Sequence, residues 1–259
     1  DHPEVIWLSE AFTKPPMMAA LAKVGFQQSY TYYAWRNTKE ELSEYMQELT
    51  TETAPFLRPS FWPTTHDILT PYMQYGGPTA WKLRAALAAT LVPTYGIYTG
   101  YELLESVPRP GVEEQIDNEK YEFKNRKWEE YAAGGEYEGR LWMADYLGKL
   151  NQIRNEHPSL HWLRNYREHE TDDDAVLCFS KRRVDEGRED TIIVVANTDP
   201  HSMRGTWVHL DLEELGLPEN SSFVAKDLIT GTEWVWSENN FVRLGVDWEP
   251  VHIVHVRRF

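Results

Sequence analysis

Residues Val5 to Thr13 read VIWLSEAFT. The run Val5, Ile6, Trp7 and Leu8 predicts a buried strand. It leads directly into Glu10, a charge that is costly to bury. Two accounts of that junction stand side by side. Glu10 is a helix-start acid favoured by the macrodipole, or it is a functional carboxylate carried on a rigid strand end.

The residues that follow set the pattern. PPMMAALAKVG predicts a helix, with Pro15 and Pro16 near its start and Gly25 as its stop. FQQSYTYYAW predicts a second strand. In NTKEELSEYMQELTTE, Thr38 and Glu41 make a capping box, and Leu42, Tyr45, Met46 and Leu49 fall on one helical face. FLRPSFWPTTHDIL is a short apolar run with turn residues. TAWKLRAALAATL is an Ala-rich helix, Tyr95–Thr99 is another strand candidate, and a long polar loop follows. Loops of that length are usually functional or disordered. LWMADYLGKLNQIRNEHPSL, a further helix, closes this half. From about Trp162 only strand-like runs remain, among them AVLCFSK, TIIVVANT, GTWVHLDL and VHIVHVRR. Their spacing predicts an antiparallel sandwich.

About four strand–helix units precede the change in texture, whereas a (β/α)8 barrel has eight, typically in about 250 residues. The expected architecture is α/β, the C-terminal half of a (β/α)8 TIM barrel over residues 1–161. An all-β antiparallel sandwich over 162–259 follows, its Trp207 and Trp234 expected to pack on the barrel. Half a barrel leaves strand edges open. The chain also enters a strand almost at once, so it is expected to be one piece of a longer polypeptide.

Composition narrows the function classes. In 259 residues the net charge is −15, which argues against nucleic acid as a main partner because phosphate binding needs clustered Lys and Arg. No apolar run of about 18 residues is present to span a membrane. The single Cys178 sits in an apolar run and fits a reducing, cytoplasmic compartment. The 11 Trp and 14 Tyr suit either a core or a cleft in which rings stack on sugars. His157 and His161 have the i, i+4 spacing of metal ligands, but Pro158 breaks the helix between them. There is no Walker loop, no GxGxxG and no serine nucleophile elbow. No metal and no cofactor is expected.

The carboxylates are more informative together than singly. In βα barrels the catalytic groups sit at the C-terminal ends of strands. Glu10 ends the first strand, and His66 and Asp67 follow a later one. Asp67 alone reads as a helix cap beside a loop histidine. A Glu and an Asp two units apart can face one pocket, and paired carboxylates are the standard device of glycosidic chemistry. Aromatic surroundings such as Tyr30, Tyr32, Tyr33, Trp35 and Trp62 raise the pKa of a carboxyl buried against them.

At these residues a family resemblance enters. WLSEAFTKPPMMAALAKVGFQQSYTYYAWRNTKEELSEYMQELT closely resembles the maltosyltransferases of the α-amylase superfamily that use maltose 1-phosphate to extend α-1,4-glucans. The likeness continues through FLRPSFWPTTHDIL, KLRAALAATLVPTYGIYTGYELLE and NEKYEFKNRKW, covering nearly all of 4–160. It implies a retaining mechanism. Glu10 matches the general acid/base, Asp67 the transition-state-stabilising acid, and His66 the histidine that binds the donor sugar. Lys120 and Tyr121, in EKYEF, match a pair that contacts the maltosyl unit beyond the reacting ring. The family's nucleophilic Asp ends the strand before the one carrying Glu10. That residue is therefore expected upstream, in a missing N-terminal half, with several phosphate-binding groups. A homodimer is implied by the resemblance alone. An α-amylase-like hydrolase or trehalose-metabolising enzyme shares the Glu and the His-Asp pair. A non-catalytic glucan-binding fragment explains the missing nucleophile.

Overall fold

The computed structural model describes residues 2–119, 123–131, 134–135, 143–246 and 248–259. Its first part carries four parallel strands, β1 (Leu8–Ser9), β2 (Gln28–Tyr30), β3 (Pro59–Phe61) and β4 (Thr94–Tyr95), hydrogen-bonded in chain order. Helix α1 (Pro15–Lys23) crosses from β1 to β2, and α2 (Lys39–Thr50) from β2 to β3. The short α3 (Pro71–Tyr75) and the longer α4 (Gly77–Leu91) connect β3 to β4. Helix α5 (Ala144–Glu156) follows the long loop.

Local chemistry accounts for these elements. The Thr38 hydroxyl accepts from the Glu41 amide, and the Glu41 side chain accepts from the Thr38 amide, so the expected capping box starts α2. Its buried residues are Leu42, Tyr45, Met46 and Leu49, as the helical period requires. Pro15 opens α1, and the chain turns at Gly25 with φ +118°, a backbone open to glycine at little cost. Helix α4 is buried on every side, from Ala80 and Trp81 to Leu91, and includes Arg84. The Arg84 guanidinium lies 3.7 Å from the Tyr33 ring centre, and it donates to the Arg36 carbonyl at 2.6 Å and to the Tyr33 carbonyl. It thereby holds the single turn Tyr32–Trp35, just past β2, against α4.

The run Val5–Leu8 departs from expectation. Only Leu8–Ser9 is strand, and Ile6, Trp7 and Leu8 are 72%, 56% and 54% exposed. The reason is position: among the described residues β1 is an edge strand, paired only with β2, so its apolar flank has no described neighbour on the other side. Tyr95–Thr99 is likewise shorter than expected, with strand only at Thr94–Tyr95.

The second part is entirely antiparallel. Its strands are β5 (Tyr166–Thr171), β6 (Val176–Asp185), β7 (Arg188–Asn197), β8 (Arg204–His209), β9 (Phe223–Asp227), β10 (Glu233–Trp236), β11 (Asn239–Leu244) and β12 (Val251–Arg257). They form one ladder in the order β10-β9-β12-β7-β6-β5-β8-β11. In β5, Tyr166–His169 pair with β6 while Glu170 and Thr171 pair with β8, so this strand passes the ladder from one layer to the other. Both ends of the ladder supply one core: Phe223, Ala225 and Trp236 from one, Val208, Val242 and Leu244 from the other.

The central strands are buried on both faces. Val176 and Cys178, with Ile193, Val195 and Val254, face that β core. Leu177 and Phe179, with Ile192, Val194, Val251 and Ile253, join the cluster built by the helices. Double-sided burial explains why these strands read as continuous apolar runs, whereas β8, β9 and β11 alternate. The side chains that join the two parts are therefore these aliphatics. Trp207 and Trp234 do not serve there. Trp207 is 47% exposed and meets Phe241 edge-on, and Trp234 stacks on Trp236. Trp234 belongs to β10, an end strand of the ladder, and Trp207 to β8, next to the other end.

Polar groups complete the junction. The last carbonyls of α4 need partners outside the helix. Buried Lys181 donates to the Leu91 carbonyl at 3.1 Å, and Arg154 donates to those of Ala89, Val92 (3.2 Å) and Pro93 (2.6 Å). Burial holds the Lys181 amine well below its ordinary pKa.

His169 in β5 gives this fold an acid-sensitive point. Its Nδ1 accepts from the Asp211 amide at 3.2 Å, which leaves Nε2 to carry the proton and meet Ser180 Oγ at 2.8 Å. Burial pushes its pKa down to about 4 from 6.5. The neutral ring thus favours the fold fully above pH 6.5, and this contribution is lost as pH falls toward 4. The loss between pH 7 and 4.5 should be about 2–3 kcal/mol. Urea unfolding at the two pH values should show His169→Gln losing less stability than the parent. Equal losses would contradict the assignment.

Candidate active site

Parallel strands direct their C-terminal ends to one side of the sheet, and that side is where Glu10 and the His66–Asp67 pair stand. Glu10 directly follows β1, with Ser9 buried before it and its own side chain exposed. Asp67 lies in the turn after β3. The strand order places β1 and β3 two spacings apart, about 10 Å in a flat sheet.

Aromatic rings line the space between. Tyr30, ending β2, stacks on Trp62 with centroids 5.0 Å apart. Phe12 meets Tyr30 edge-on at 6.1 Å and Trp35 at 5.7 Å. The Trp35 indole donates to Glu113 Oε2 at 3.1 Å, and that of Trp62 to Ser60 Oγ at 3.1 Å. Burial, and then the charge of Glu10, raise the Tyr30 hydroxyl above its ordinary pKa, so Glu10 acts on this wall.

The turn carrying Asp67 is tightly tied. Thr65 N–H donates to the Ile68 carbonyl at 3.0 Å, and Asp67 N–H to Thr65 Oγ1 at 3.2 Å. The long loop clamps it from outside: Gln115 N–H donates to the His66 carbonyl at 3.2 Å, and Leu69 N–H to that of Glu113 at 2.7 Å. His66 Nε2 lies 3.1 Å from Asp67 Oδ2, both side chains being partly exposed. The structure thus brings Glu10, His66 and Asp67 to one end of one sheet. Lys120 and Tyr121 lie outside the described residues.

Sequence reasoning missed the charges that order the loop. The Tyr98 ring lies 6.2 Å from that of His66, and its hydroxyl donates to Glu119. Arg126 spans Glu119 at 3.2 Å and Glu105 at 3.0 Å, with Lys124 adding a contact to Glu105 at 3.1 Å. Burial and the Glu119 hydrogen bond push the Tyr98 hydroxyl up to about 12, so it remains a donor. Burial works to raise the Glu119 carboxyl, but its bonds from Tyr98 and Arg126 outweigh this and hold it below the usual range. Charged residues scattered through a polar loop carry no period, so nothing in their spacing announces that they converge.

Two glycines are required by close approach. A Cβ on Gly96 would lie 2.2 Å from Trp62 Cζ2, and Gly100, at φ +101°, has the Glu105 carboxylate beneath it. A groove of about 700 Å³ opens elsewhere, lined by Glu168, Glu170, Asp211 and Glu213 among others. Its acidic lining contains no Trp, Tyr or Phe, so it offers no platform for a sugar ring.

Residues 168–256 match the family model described as GLGE, C-terminal. The chain is 50% identical over 257 residues to alpha-1,4-glucan:maltose-1-phosphate maltosyltransferase 2 of Streptomyces coelicolor, covering 99% of this chain and 37% of that protein. It is 45% identical over 257 residues to the maltosyltransferase of Corynebacterium glutamicum, covering 98% of this chain and 36% of that one. Among solved structures, an Anoxybacillus α-amylase superposes with a TM-score of 0.66 at 16% identity, over 98% of this chain and 52% of that chain. An α-amylase of Geobacillus thermoleovorans, solved with acarbose, matches with the same score over 99% of this chain and 54% of its own.

Gly96→Ala should force the Trp62 ring off Tyr30 and cost about 1–3 kcal/mol, the usual price of overpacking. Urea unfolding and a crystal structure of the variant read this. An undiminished stability with the Tyr30–Trp62 stack intact would contradict it. The chain spans about 37% of the length of the first curated relative, and over nearly its whole length it is homologous to that third of an alpha-1,4-glucan:maltose-1-phosphate maltosyltransferase.

Proposed function

We propose that the chain is the second half of a catalytic (β/α)8 barrel with its C-terminal β domain. The intact protein moves maltosyl units from maltose 1-phosphate to the non-reducing end of α-1,4-glucans. One observation carries this reading: Glu10 and the His66–Asp67 pair occupy the same end of a parallel sheet, beside the Tyr30–Trp62 stack. The outer edge of β1, which no described strand pairs, and its exposed Ile6, Trp7 and Leu8 support a neighbouring strand from elsewhere in the polypeptide. That strand would carry the nucleophilic Asp.

The roles follow from charge. In the first step the C1–O bond to phosphate breaks, and the nucleophilic carboxylate forms a bond to C1. Phosphate leaves as a stable anion, so proton donation by Glu10 matters less than in an ordinary glycosidase. In the second step the acceptor's 4-hydroxyl oxygen attacks C1, its proton passes to Glu10, and the enzyme carboxylate departs. Both steps develop positive charge on the sugar ring, which the Asp67 carboxylate stabilises. His66 binds the donor ring, held by Asp67 on one side and the Tyr98 ring on the other. Lys120 and Tyr121 contact the outer glucosyl unit. The ring faces of Tyr30 and Trp62 offer apolar surface to sugar. On the resemblance alone the protein is a homodimer, and the buried single Cys178 fits a cytoplasmic setting. Among the described residues no helix is long and apolar enough to cross a membrane.

In the full-length protein, Glu10→Ala should accumulate a covalent maltosyl-enzyme on incubation with maltose 1-phosphate, because turnover needs the base. Asp67→Ala should slow both steps and show no accumulation. Losses of roughly 10²–10⁴-fold in overall rate are expected for Glu10→Ala, the usual worth of an acid–base group. Intact-protein mass spectrometry reads the adduct. An adduct on Asp67→Ala but none on Glu10→Ala would reverse the two roles.

A further inference from the structure

The junction between the helical part and the β part holds a second cluster of chemistry-bearing groups. His157 caps the C-terminus of α5, Asp190 lies on β7, and His255 lies on β12. Strand pairing sets the last two side by side. His255 is opposite Ile192, so Asp190, two residues along β7, is its diagonal neighbour on the same face. That face also carries Ile192, Val194 and Ile253 and is turned toward the helices. His157 arrives from the helical side.

We propose that His157, Asp190 and His255 form a binding site for one divalent first-row transition metal ion, of which Zn²⁺ is the probe. The inference is independent of the proposed reaction. The three donor atoms all lie within 4.8 Å of one another. His157 Nδ1 is 2.8 Å from Asp190 Oδ1, His255 Nε2 is 3.9 Å from the same oxygen, and the two imidazole centres are 4.7 Å apart. Ligands placed tetrahedrally around Zn²⁺ at about 2.0 Å lie about 3.3 Å from one another. The two carboxylate distances bracket that value, so small rotations of the rings close the site around an ion.

Two features prepare it. The backbone N–H of Ser159 donates to Asp190 Oδ2 at 2.9 Å, which fixes the carboxylate and leaves Oδ1 facing the imidazoles, the orienting device seen around metal ligands. His157 and Asp190 are largely buried, so water competes weakly. Without metal, the proton between His157 Nδ1 and Asp190 serves as the bridge. A bound ion takes its place at Nδ1, and the neutral ring carries its one proton on Nε2 instead. Two imidazole nitrogens and one carboxylate favour Zn²⁺ or its neighbours over Mg²⁺ and Ca²⁺, and three protein ligands leave a position for water. The ion would clamp α5 to β7 and β12.

The test uses the full-length protein stripped with EDTA. Titration with Zn²⁺, followed by calorimetry and native mass spectrometry, should show one ion bound per chain. His157→Gln and His255→Gln should each weaken binding by at least about tenfold, the lower bound set by the loss of even an orienting partner. Co²⁺ added to the unmutated protein should develop the visible absorption of four- or five-coordinate cobalt, which needs no variant to fold. Absence of stoichiometric Zn²⁺ binding, binding that both variants retain, or a purely six-coordinate Co²⁺ spectrum would each overturn the proposal.

Discussion

Everything in this molecule is built on three strands whose central residues are buried on both faces. β6, β7 and β12 present one set of side chains to the helices and the alternate set to the β core. With the spacing of side chains fixed at two residues, no register slip is tolerated, because each slip would exchange the two sets. Burial of each such aliphatic is worth roughly 1.5–3 kcal/mol. The helical part is therefore joined to the β part by continuous core, with Lys181 and Arg154 answering the last carbonyls of α4. Helix α4, buried all round, is the common wall. It holds the β domain on one side and, through Arg84, the Tyr32–Trp35 turn on the other.

That wall fixes the strand ends from which the candidate site projects. Glu10 and Asp67 need no flexible arm, since one follows a strand directly and the other sits in a turn bonded to the long loop. The rings between them are held by their own contacts, indole to Ser60, indole to Glu113, and Gly96 yielding space to Trp62. The ion cluster of Glu105, Glu119 and Arg126 orders the loop and sets Tyr98 beside His66. Such a cluster is partly buried and costs desolvation, which its multiple hydrogen bonds offset.

Local signals were legible and long-range ones were not. The Thr38–Glu41 box and the face of Leu42, Tyr45, Met46 and Leu49 are written within one helix, so sequence spacing is enough to find them. The apolar run at Val5–Leu8 misleads because a strand's burial depends on its neighbours, and β1 has one neighbour only among the described strands. Trp207 and Trp234 mislead for a related reason: a large ring suggests a core, but the ladder's order puts Trp234 on its end strand β10 and Trp207 on β8, next to the other end. The spacing of His157 and His161 suggested a metal pair that Pro158 disallows, and His161 instead bonds the Arg154 carbonyl. The true companions of His157 are 33 and 98 residues away in sequence, brought in by the pairing of β7 with β12. The places of Glu10, His66 and Asp67 were legible because turn residues after a short apolar run mark where a strand stops.

The most direct test of the account is a phosphate-release assay of the full-length protein on maltose 1-phosphate, with and without an α-1,4-glucan acceptor. Transfer by the proposed route predicts little phosphate without acceptor, and abundant phosphate with it. The glucan should lengthen two glucosyl units at a time. Phosphate release that is indifferent to acceptor and matched by free maltose would identify a hydrolase and contradict it.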